Sequence, residues 1–197
     1  AVINTEQAEI HHTSEIAPFI EMRIWDDKDM PALQRITDKI HEHGALAGIE
    51  LCYNGLNSPN LYSREVPLAP INMPVATFTY DPVQARAMDK EDIANLRRWH
   101  RNAALRAKAC GFDLVYVYGA HTFGAVQHFL SRRTNQRTDE YGGSLENRAR
   151  LLKELIEDTK DAVGDTCAVP VRILIEEMIG DTGITNEEMR DVVGMLA

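Results

Sequence analysis

The sequence predicts an α/β protein with parallel strands, of the (β/α)8 TIM-barrel type. Three observations support this fold class: strands alternate with helices, the strands are mostly apolar, and the long loops follow strands while the helix-to-strand turns are short. Barrel enzymes carry their active sites on loops that follow the strands. A doubly wound open sheet is the alternative, but the chain has no glycine-rich dinucleotide fingerprint to favour it.

Each element follows from a local pattern. Short apolar runs predict strands at 2–5, 47–51, 114–118 and 169–175. Apolar residues at helical spacing predict helices over 29–43, 89–111 and 144–164, with a last helix after 185. Asp89, Ser144 and Thr185 are the expected N-caps. The stretches 53–88 and 119–143 are predicted to be long irregular loops.

Composition limits the function. The net charge of −9 disfavours a nucleic-acid partner, and no apolar run approaches the length of a membrane span. Cys52, Cys110 and Cys167 lie far apart, which indicates neither a disulfide framework nor a metal site and favours a cytoplasmic setting. The chain starts within a strand and stops within a helix, so residues 1–197 are expected to be one partial barrel domain, truncated at both ends.

Polar residues in or beside the apolar strands are the candidate site. Glu50 and Arg172 alternate with apolar neighbours and so point into the barrel, either as a stabilising ion pair or toward a planar polar ligand. Tyr118 ends the third strand and His121 follows three residues later, so both are expected to reach one pocket. A purely structural role is the alternative for these two residues.

The segment 135–148, Asn-Gln-Arg-Thr-Asp-Glu-Tyr-Gly-Gly-Ser-Leu-Glu-Asn-Arg, is expected to be a structural latch for the loop beside the pocket. It also resembles the signature that the old yellow enzyme family (NADH:flavin oxidoreductases) carries after barrel strand four. Ala120-His121 and Phe129-Leu130 fall where that family's pattern places them. The resemblance covers essentially the whole chain, and it implies that the chain supplies barrel strands two to five.

The resemblance implies FMN as the cofactor, contacted by Glu50 and by Arg172 near flavin N1 and the C2 carbonyl. Glu50 stands where most members have Gln, and Tyr53 where most have His. Both substitutions, together with the segment 115–121, Val-Tyr-Val-Tyr-Gly-Ala-His, make the chain resemble the trimethylamine and dimethylamine dehydrogenase branch of the family. Tyr118 and His121 are then the catalytic residues. Gln7, Cys52 and Tyr53 are the expected substrate-binding residues, with Gln7 standing where the trimethylamine enzymes have Tyr.

The implied reaction is oxidative N-demethylation of a secondary amine such as dimethylamine, with histamine-type amines as the nearest alternative. The rival interpretations are an ene reductase that uses NAD(P)H on activated C=C bonds, and a catalytically silent fragment. The resemblance also implies a 4Fe-4S cluster for the full-length protein, with no ligands in this chain. The expected partners also include an electron-acceptor protein, and the full-length protein is expected to be a homo-oligomer.

Overall fold

The computed structural model describes residues 1–16, 21–75 and 83–196. Within these ranges the strands are β1 (Val2–Glu9), β2 (Leu46–Cys52), β3 (Leu68–Ala69), β4 (Met73–Pro74), β5 (Gln84–Ala87), β6 (Leu114–Gly119) and β7 (Val171–Ile173). The α-helices are α1 (Met30–Glu42), α2 (Lys90–Ala109), α3 (Gly124–Leu130), α4 (Leu145–Val163) and α5 (Asn186–Leu196).

The main sheet has the order β1-β2-β6-β7, and every neighbouring pair in it is parallel. Helix α1 joins the first pair of strands, α2 the second, and α3 and α4 lie between the last two. Each new strand is therefore added on the same side of the previous one. A doubly wound sheet reverses its strand order at a switch point, whereas a barrel does not. The sequential order confirms the prediction of a partial (β/α)8 barrel.

The hydrophobic core lies between the outer face of this sheet and the helices. Ile49, Leu51, Val115 and Val117 are fully buried there and belong to one cluster with the apolar stripes of α2 and α4. Burial of each such side chain contributes roughly 1.5–3 kcal/mol. Because side chains alternate along a strand, packing of these odd-numbered residues against the helices turns Glu50 to the inner face.

The helix boundaries confirm the predicted caps. Asp89 accepts the Asp92 backbone N–H at 2.8 Å, Ser144 accepts that of Asn147, and Thr185 accepts that of Glu188, the last two at 3.3 Å. These bonds satisfy N–H groups that the first helical turn leaves without partners. Among the helices within the described ranges, none is both long and apolar enough to cross a bilayer.

Several elements differ from the prediction. Strand β1 runs to Glu9 instead of ending at Thr5, and β7 has three residues instead of seven. The expected irregular loops contain helix α3 and a small sheet of order β3-β5-β4. Every residue of α3 is buried. A short helix that is buried on all sides has no polar face, so hydrophobic periodicity cannot reveal it.

The predicted latch is confirmed. Arg137 donates to the carbonyl of Pro70 at 2.9 Å and to that of Met88 at 2.6 Å, and it forms an ion pair with Asp139. Arg148 is 2% exposed and donates to the Leu130 carbonyl. The segment 135–148 thus holds the loop after β6 against the loop after β2, and this fixes the position of the chain that follows the Tyr118 strand.

Candidate active site

Tyr118 and His121 form a hydrogen-bonded pair at the carboxyl end of β6. Tyr118 Oη and His121 Nδ1 lie 2.8 Å apart, and Tyr118 is buried. His121 and Thr122 have φ angles of 57° and 64°. Two successive residues in the left-handed region fold the chain sharply back, which brings the imidazole over the end of its own strand. The expectation that both side chains reach one place is confirmed.

Glu50 and Arg172 join the same place from neighbouring strands. Arg172 Nη1 donates to Glu50 Oε1 at 2.6 Å, and the two side chains are 41% and 3% exposed, respectively. Arg172 lies opposite Tyr118 in the β6–β7 register, and its guanidinium lies 5.9 Å from the centre of that ring. We name Glu50, Tyr118, His121 and Arg172 the mouth cluster, because it stands where the parallel strands end.

The mouth cluster has a direction of hydrogen bonding. Arg172 Nη2 lies 3.5 Å from His121 Nε2, and a guanidinium can only donate. His121 Nε2 is therefore the acceptor, which places the ring proton on Nδ1, where it is donated to Tyr118 Oη. The hydroxyl hydrogen of Tyr118 ends this series of hydrogen bonds, and no residue of the mouth cluster accepts it.

Tyr118 and Cys52 are neutral side chains beside this chain of donors. Burial raises the pKa of Tyr118, and the neighbouring Cys52 and Glu50 raise it further. Burial also raises the pKa of the Cys52 thiol, followed by the surrounding carboxylates. Cys52 packs against Tyr118, and its Sγ donates to Asn54 Oδ1 at 3.2 Å. The structure thus brings Cys52, an expected substrate contact, next to the mouth cluster.

A β-bulge decides which side chains of β1 enter the site. The register between β1 and β2 shifts between Asn4 and Gln7, after which Gln7 lies opposite Glu50 and Glu9 opposite Cys52. Residues in register on parallel strands share a face. The extra residue of the bulge therefore moves Gln7 and Glu9 to the inner face, and it places Gln7 inside the strand and not beyond its end.

Glu9 is a titratable residue at the strand end that the sequence did not reveal. Its side chain is 2% exposed, and its Oε1 accepts the backbone N–H of Ile16 at 3.3 Å. Burial, followed by repulsion from Glu21, raises its pKa to about 8. Unbroken alternation from Asn4 turns Glu9 outward, so only the bulge explains why this carboxyl lies beside Cys52 at the mouth of the barrel.

The raised pKa of Glu9 predicts a pH-dependent stability. Folding raises the pKa of Glu9 from 4.5 to about 8. The contribution of Glu9 to the free energy of unfolding is therefore greatest below pH 4.5, where the carboxyl is protonated in both states, and it is lost as the pH rises toward 8. Glu9→Gln is expected to match the wild type near pH 4 and to exceed it by on the order of 4 kcal/mol above pH 8. Urea unfolding at stepped pH tests this, with exposed Glu157→Gln as the control. Parallel stability curves for Glu9→Gln and the wild type contradict the prediction.

Gln7 is held by one end of its amide. Its Nε2 donates to Glu21 Oε2 at 2.6 Å, and the residue is half-buried on the inner face beside Glu50. Because the nitrogen is bound to a carboxylate, the amide cannot flip without losing a charge-assisted hydrogen bond. In this orientation the carbonyl oxygen of Gln7 points away from Glu21, where it can accept a hydrogen bond. The substrate contact expected of Gln7 stays a prediction.

Tyr53 is separated from the mouth cluster. It follows Cys52 directly, so its ring projects from the opposite face of the strand and is buried in the core between sheet and helices. Its hydroxyl lies 3.0 Å from Thr13 Oγ1, and its ring centre is 5.7 Å from that of Trp99. These contacts are those of a packing residue and give no support to the predicted substrate contact.

The residues of the mouth cluster fit a flavin. Glu50 Oε2 is buried and has no hydrogen-bond partner within the described part of the chain, while Oε1 holds Arg172. A buried carboxylate oxygen requires a donor. The pyrimidine ring of FMN offers one N–H between two carbonyl groups, which match Glu50 and the remaining donors of Arg172. In the described ranges, no three His, Cys, Asp or Glu side chains are placed to hold a metal ion.

Comparison with known proteins finds relatives along most of the chain. The chain is 40% identical over 190 residues to dimethylamine dehydrogenase of Hyphomicrobium sp. (strain x), which covers 92% of the chain and 25% of that protein. It is 38% identical over 159 residues to an NADPH dehydrogenase of Halalkalibacterium halodurans (80% of the chain and 44% of the relative). The structure of histamine dehydrogenase from Rhizobium sp. 4-9 superposes with a TM-score of 0.95 at 63% identity, covering 98% of the chain and 28% of that protein.

A parallel barrel wall with an unpaired buried carboxylate oxygen and an arginine at its mouth fits the class of flavin oxidoreductases. The chain belongs to the NADH:flavin oxidoreductase / NADH oxidase family, whose profile matches residues 1–197. This confirms the resemblance seen in the segment 135–148. The chain spans about a quarter of the length of its amine-oxidising relatives. The partial domain over 1–197 is consistent with that span and stays a prediction.

Proposed function

We propose that the protein is an FMN-dependent amine dehydrogenase. The observation that carries this proposal is the acidic inner wall of the barrel. Glu50 lies on the inner face, and Glu21 reaches it through Gln7. Arg172 opposes only part of this charge, since it pairs with Glu50. An amine is a cation at neutral pH, and an anionic wall concentrates it at the strand ends where Tyr118 and His121 lie.

The residues of the mouth cluster have separate roles in the proposed reaction. When bound, FMN supplies the acceptor for a hydride from the carbon next to the amine nitrogen. That carbon loses hydride only when the nitrogen carries a free lone pair, so the substrate ammonium must first give up a proton. With the ring hydrogen of His121 moved to Nε2, the Tyr118 oxygen is placed to accept that proton while its own hydroxyl hydrogen passes to His121 Nδ1, 2.8 Å away, and the imidazole becomes the cation. Arg172 and Glu50 bind and orient the flavin ring.

The geometry of Gln7 favours a secondary amine. With its nitrogen bound to Glu21, the side chain presents a carbonyl oxygen that accepts an N–H. A secondary ammonium has two such donors and a tertiary ammonium only one. After loss of a proton, only the secondary amine retains an N–H for Gln7. Dimethylamine is therefore the proposed substrate. A larger amine is the second candidate, because one relative is a histamine dehydrogenase. The electron acceptor and a homo-oligomeric state are proposed with it.

An ene reductase is the rival function, and the NADPH dehydrogenase relative favours it. The hydroxyl of Tyr118 offers a donor to a substrate carbonyl. The acidic wall formed by Glu21 and Glu50 opposes it, because the phosphates of NADPH are anions. Reduction of the bound flavin by dimethylamine under anaerobic conditions, compared with reduction by NADPH, separates the two functions. Absence of flavin absorbance from the purified chain identifies the third alternative, a catalytically silent fragment.

Gln7→Tyr tests the substrate assignment. A tyrosine ring favours methylated ammonium groups by cation–π contact and removes the carbonyl acceptor. The ratio of kcat/KM for dimethylamine to that for trimethylamine is expected to fall by about one to two decades, since a hydrogen bond to a charged group contributes about 1.5–3 kcal/mol. Steady-state kinetics with both amines measures this. Gln34→Tyr, on the exposed face of α1, is the matched control. An unchanged ratio in Gln7→Tyr contradicts the role of Gln7.

A further inference from the structure

A cavity of about 340 Å³ lies beside the candidate active site. Its walls come from the loop after β2, from α3 with its flanking turns, and from the loop after β7. The residues that matter for its chemistry are Thr122, Phe123, Gln127, His128, Arg133 and Glu177. Its volume falls in the range of sites that bind small organic molecules.

Gln127 is the most unusual residue of this wall. It is 1% exposed, and neither Nε2 nor Oε1 of its amide has a hydrogen-bond partner in the parts of the chain that the structure describes. A buried amide without partners lowers folding stability, and proteins rarely keep one. An amide that lines a cavity and lacks both partners indicates a ligand that supplies an acceptor and a donor.

His128 adds a second buried polar atom. Burial lowers the pKa of its imidazole to about 4, so the ring is neutral at pH 7 and has one N–H and one acceptor nitrogen. The Nδ1 atom of His128 is buried and has no partner among the described residues. The residues that line the cavity therefore include an acceptor, Gln127 Oε1, the donors of Gln127 Nε2, and His128 Nδ1, which accepts or donates according to the ring tautomer.

The charged residues that line the cavity are already paired or lie at its rim, so its buried polar surface is uncharged. Glu177 Oε2 already accepts from Ser131 Oγ at 2.5 Å and from the Ile184 backbone at 2.7 Å. Arg133 is exposed at the rim. A cation is drawn more strongly to the carboxylates of the inner barrel wall than to this cavity. The buried polar atoms of the cavity suit an uncharged group that carries both an N–H and an acceptor.

The cavity and the mouth cluster share a wall. Thr122 and Phe123 follow His121 directly and line the cavity, while Phe123 also packs against the group formed by Cys52 and Tyr118. We propose that the cavity is a subsite for the distal part of the substrate, an uncharged carboxamide or an azole ring that hydrogen-bonds to Gln127 and His128. The reacting end of that substrate is the amine of the proposed function, on which the subsite's role in turnover depends.

Gln127→Met tests the subsite, because methionine keeps the length of glutamine and removes its amide. The melting temperature of the ligand-free protein is expected to rise by about 2–6 °C, since the variant buries no unpaired amide. Propionamide and imidazole, used separately as uncharged probes, are expected to raise the melting temperature of the wild type and not that of Gln127→Met. Gln136→Met, exposed in the following loop, is the control.

Kinetics provides the second arm of the test. N-Methyl-β-alaninamide and N-methyl-3-methylbutylamine have the same shape, but only the first ends in a carboxamide. Gln127→Met is expected to lower kcat/KM about tenfold or more for the carboxamide and to leave the branched alkylamine unchanged. A fall in melting temperature together with equal losses for both amines overturns the subsite. If no amine reduces the flavin, the proposed function fails, whereas the response to propionamide and imidazole still decides whether the cavity binds a ligand.

Discussion

Arg172→Ala is expected to weaken FMN binding and to lower the midpoint potential of the bound flavin by about 30–60 mV. Arg172 is the cation of the mouth cluster, and reduction would add negative charge at the end of the flavin that the proposed binding mode sets beside this side chain. A charge-assisted hydrogen bond contributes roughly 1.5–3 kcal/mol, and for a two-electron couple about 30 mV corresponds to 1.4 kcal/mol. Potentiometric titration of the wild-type and variant holoproteins measures the shift.

The partner of Arg172 provides the control for this prediction. Removal of Arg172 leaves the buried Glu50 carboxylate without its ion pair, which is more costly than losing both charges. Arg172→Ala should therefore lower the melting temperature of the flavin-free protein, and the double variant with Glu50→Gln should recover part of that loss. Arg172→Lys keeps the charge and should lie between wild type and Arg172→Ala in potential. Equal midpoints for Arg172→Ala and wild type contradict the assignment.

The parts of the fold that local chemistry controls could be read from the sequence. Helices α2 and α4 were predicted because each has one apolar face and an N-cap, Asp89 or Ser144. Helix α3 was missed because all seven of its residues are buried, and β7 was predicted too long because Val169 and Ile175 continue its apolar run beyond the ladder. Tertiary packing, which the sequence does not display, decides both cases.

The candidate site was predictable where strict alternation holds and unpredictable where it fails. Glu50 and Arg172 interrupt apolar strands, and a buried charge in a strand points to a partner. The bulge in β1 has no clear signal in the sequence, so the inward position of Glu9 was not anticipated. Tyr53 was expected at the site because it stands where most members of the family have His, yet it follows Cys52 directly, and adjacent residues at a strand end face opposite sides of the sheet.

Tyr118→Phe is expected to slow reduction of the flavin by amine by a factor of roughly 10² or more, the contribution typical of a positioned acid–base group. The variant removes both the oxygen that accepts from His121 Nδ1 and the hydroxyl hydrogen at the end of the donor chain. Stopped-flow measurement of flavin reduction across pH tests the rate. Tyr116→Phe is the matched control, because Tyr116 lies on the same strand and its hydroxyl binds Asn4.

His121→Gln separates the role of the imidazole from that of the phenol. Glutamine retains hydrogen-bonding capacity beside Tyr118 but does not exchange a proton near neutral pH. If His121 moves a proton, the rate of flavin reduction falls and its pH profile changes shape, whereas a positioning role alone lowers the rate and leaves the profile intact. His43→Gln, on an exposed turn, controls for loss of an imidazole elsewhere. Unchanged rates and profiles in both Tyr118→Phe and His121→Gln restrict the pair to structural support, because a proton that crosses between substrate and protein must alter at least one of these two quantities.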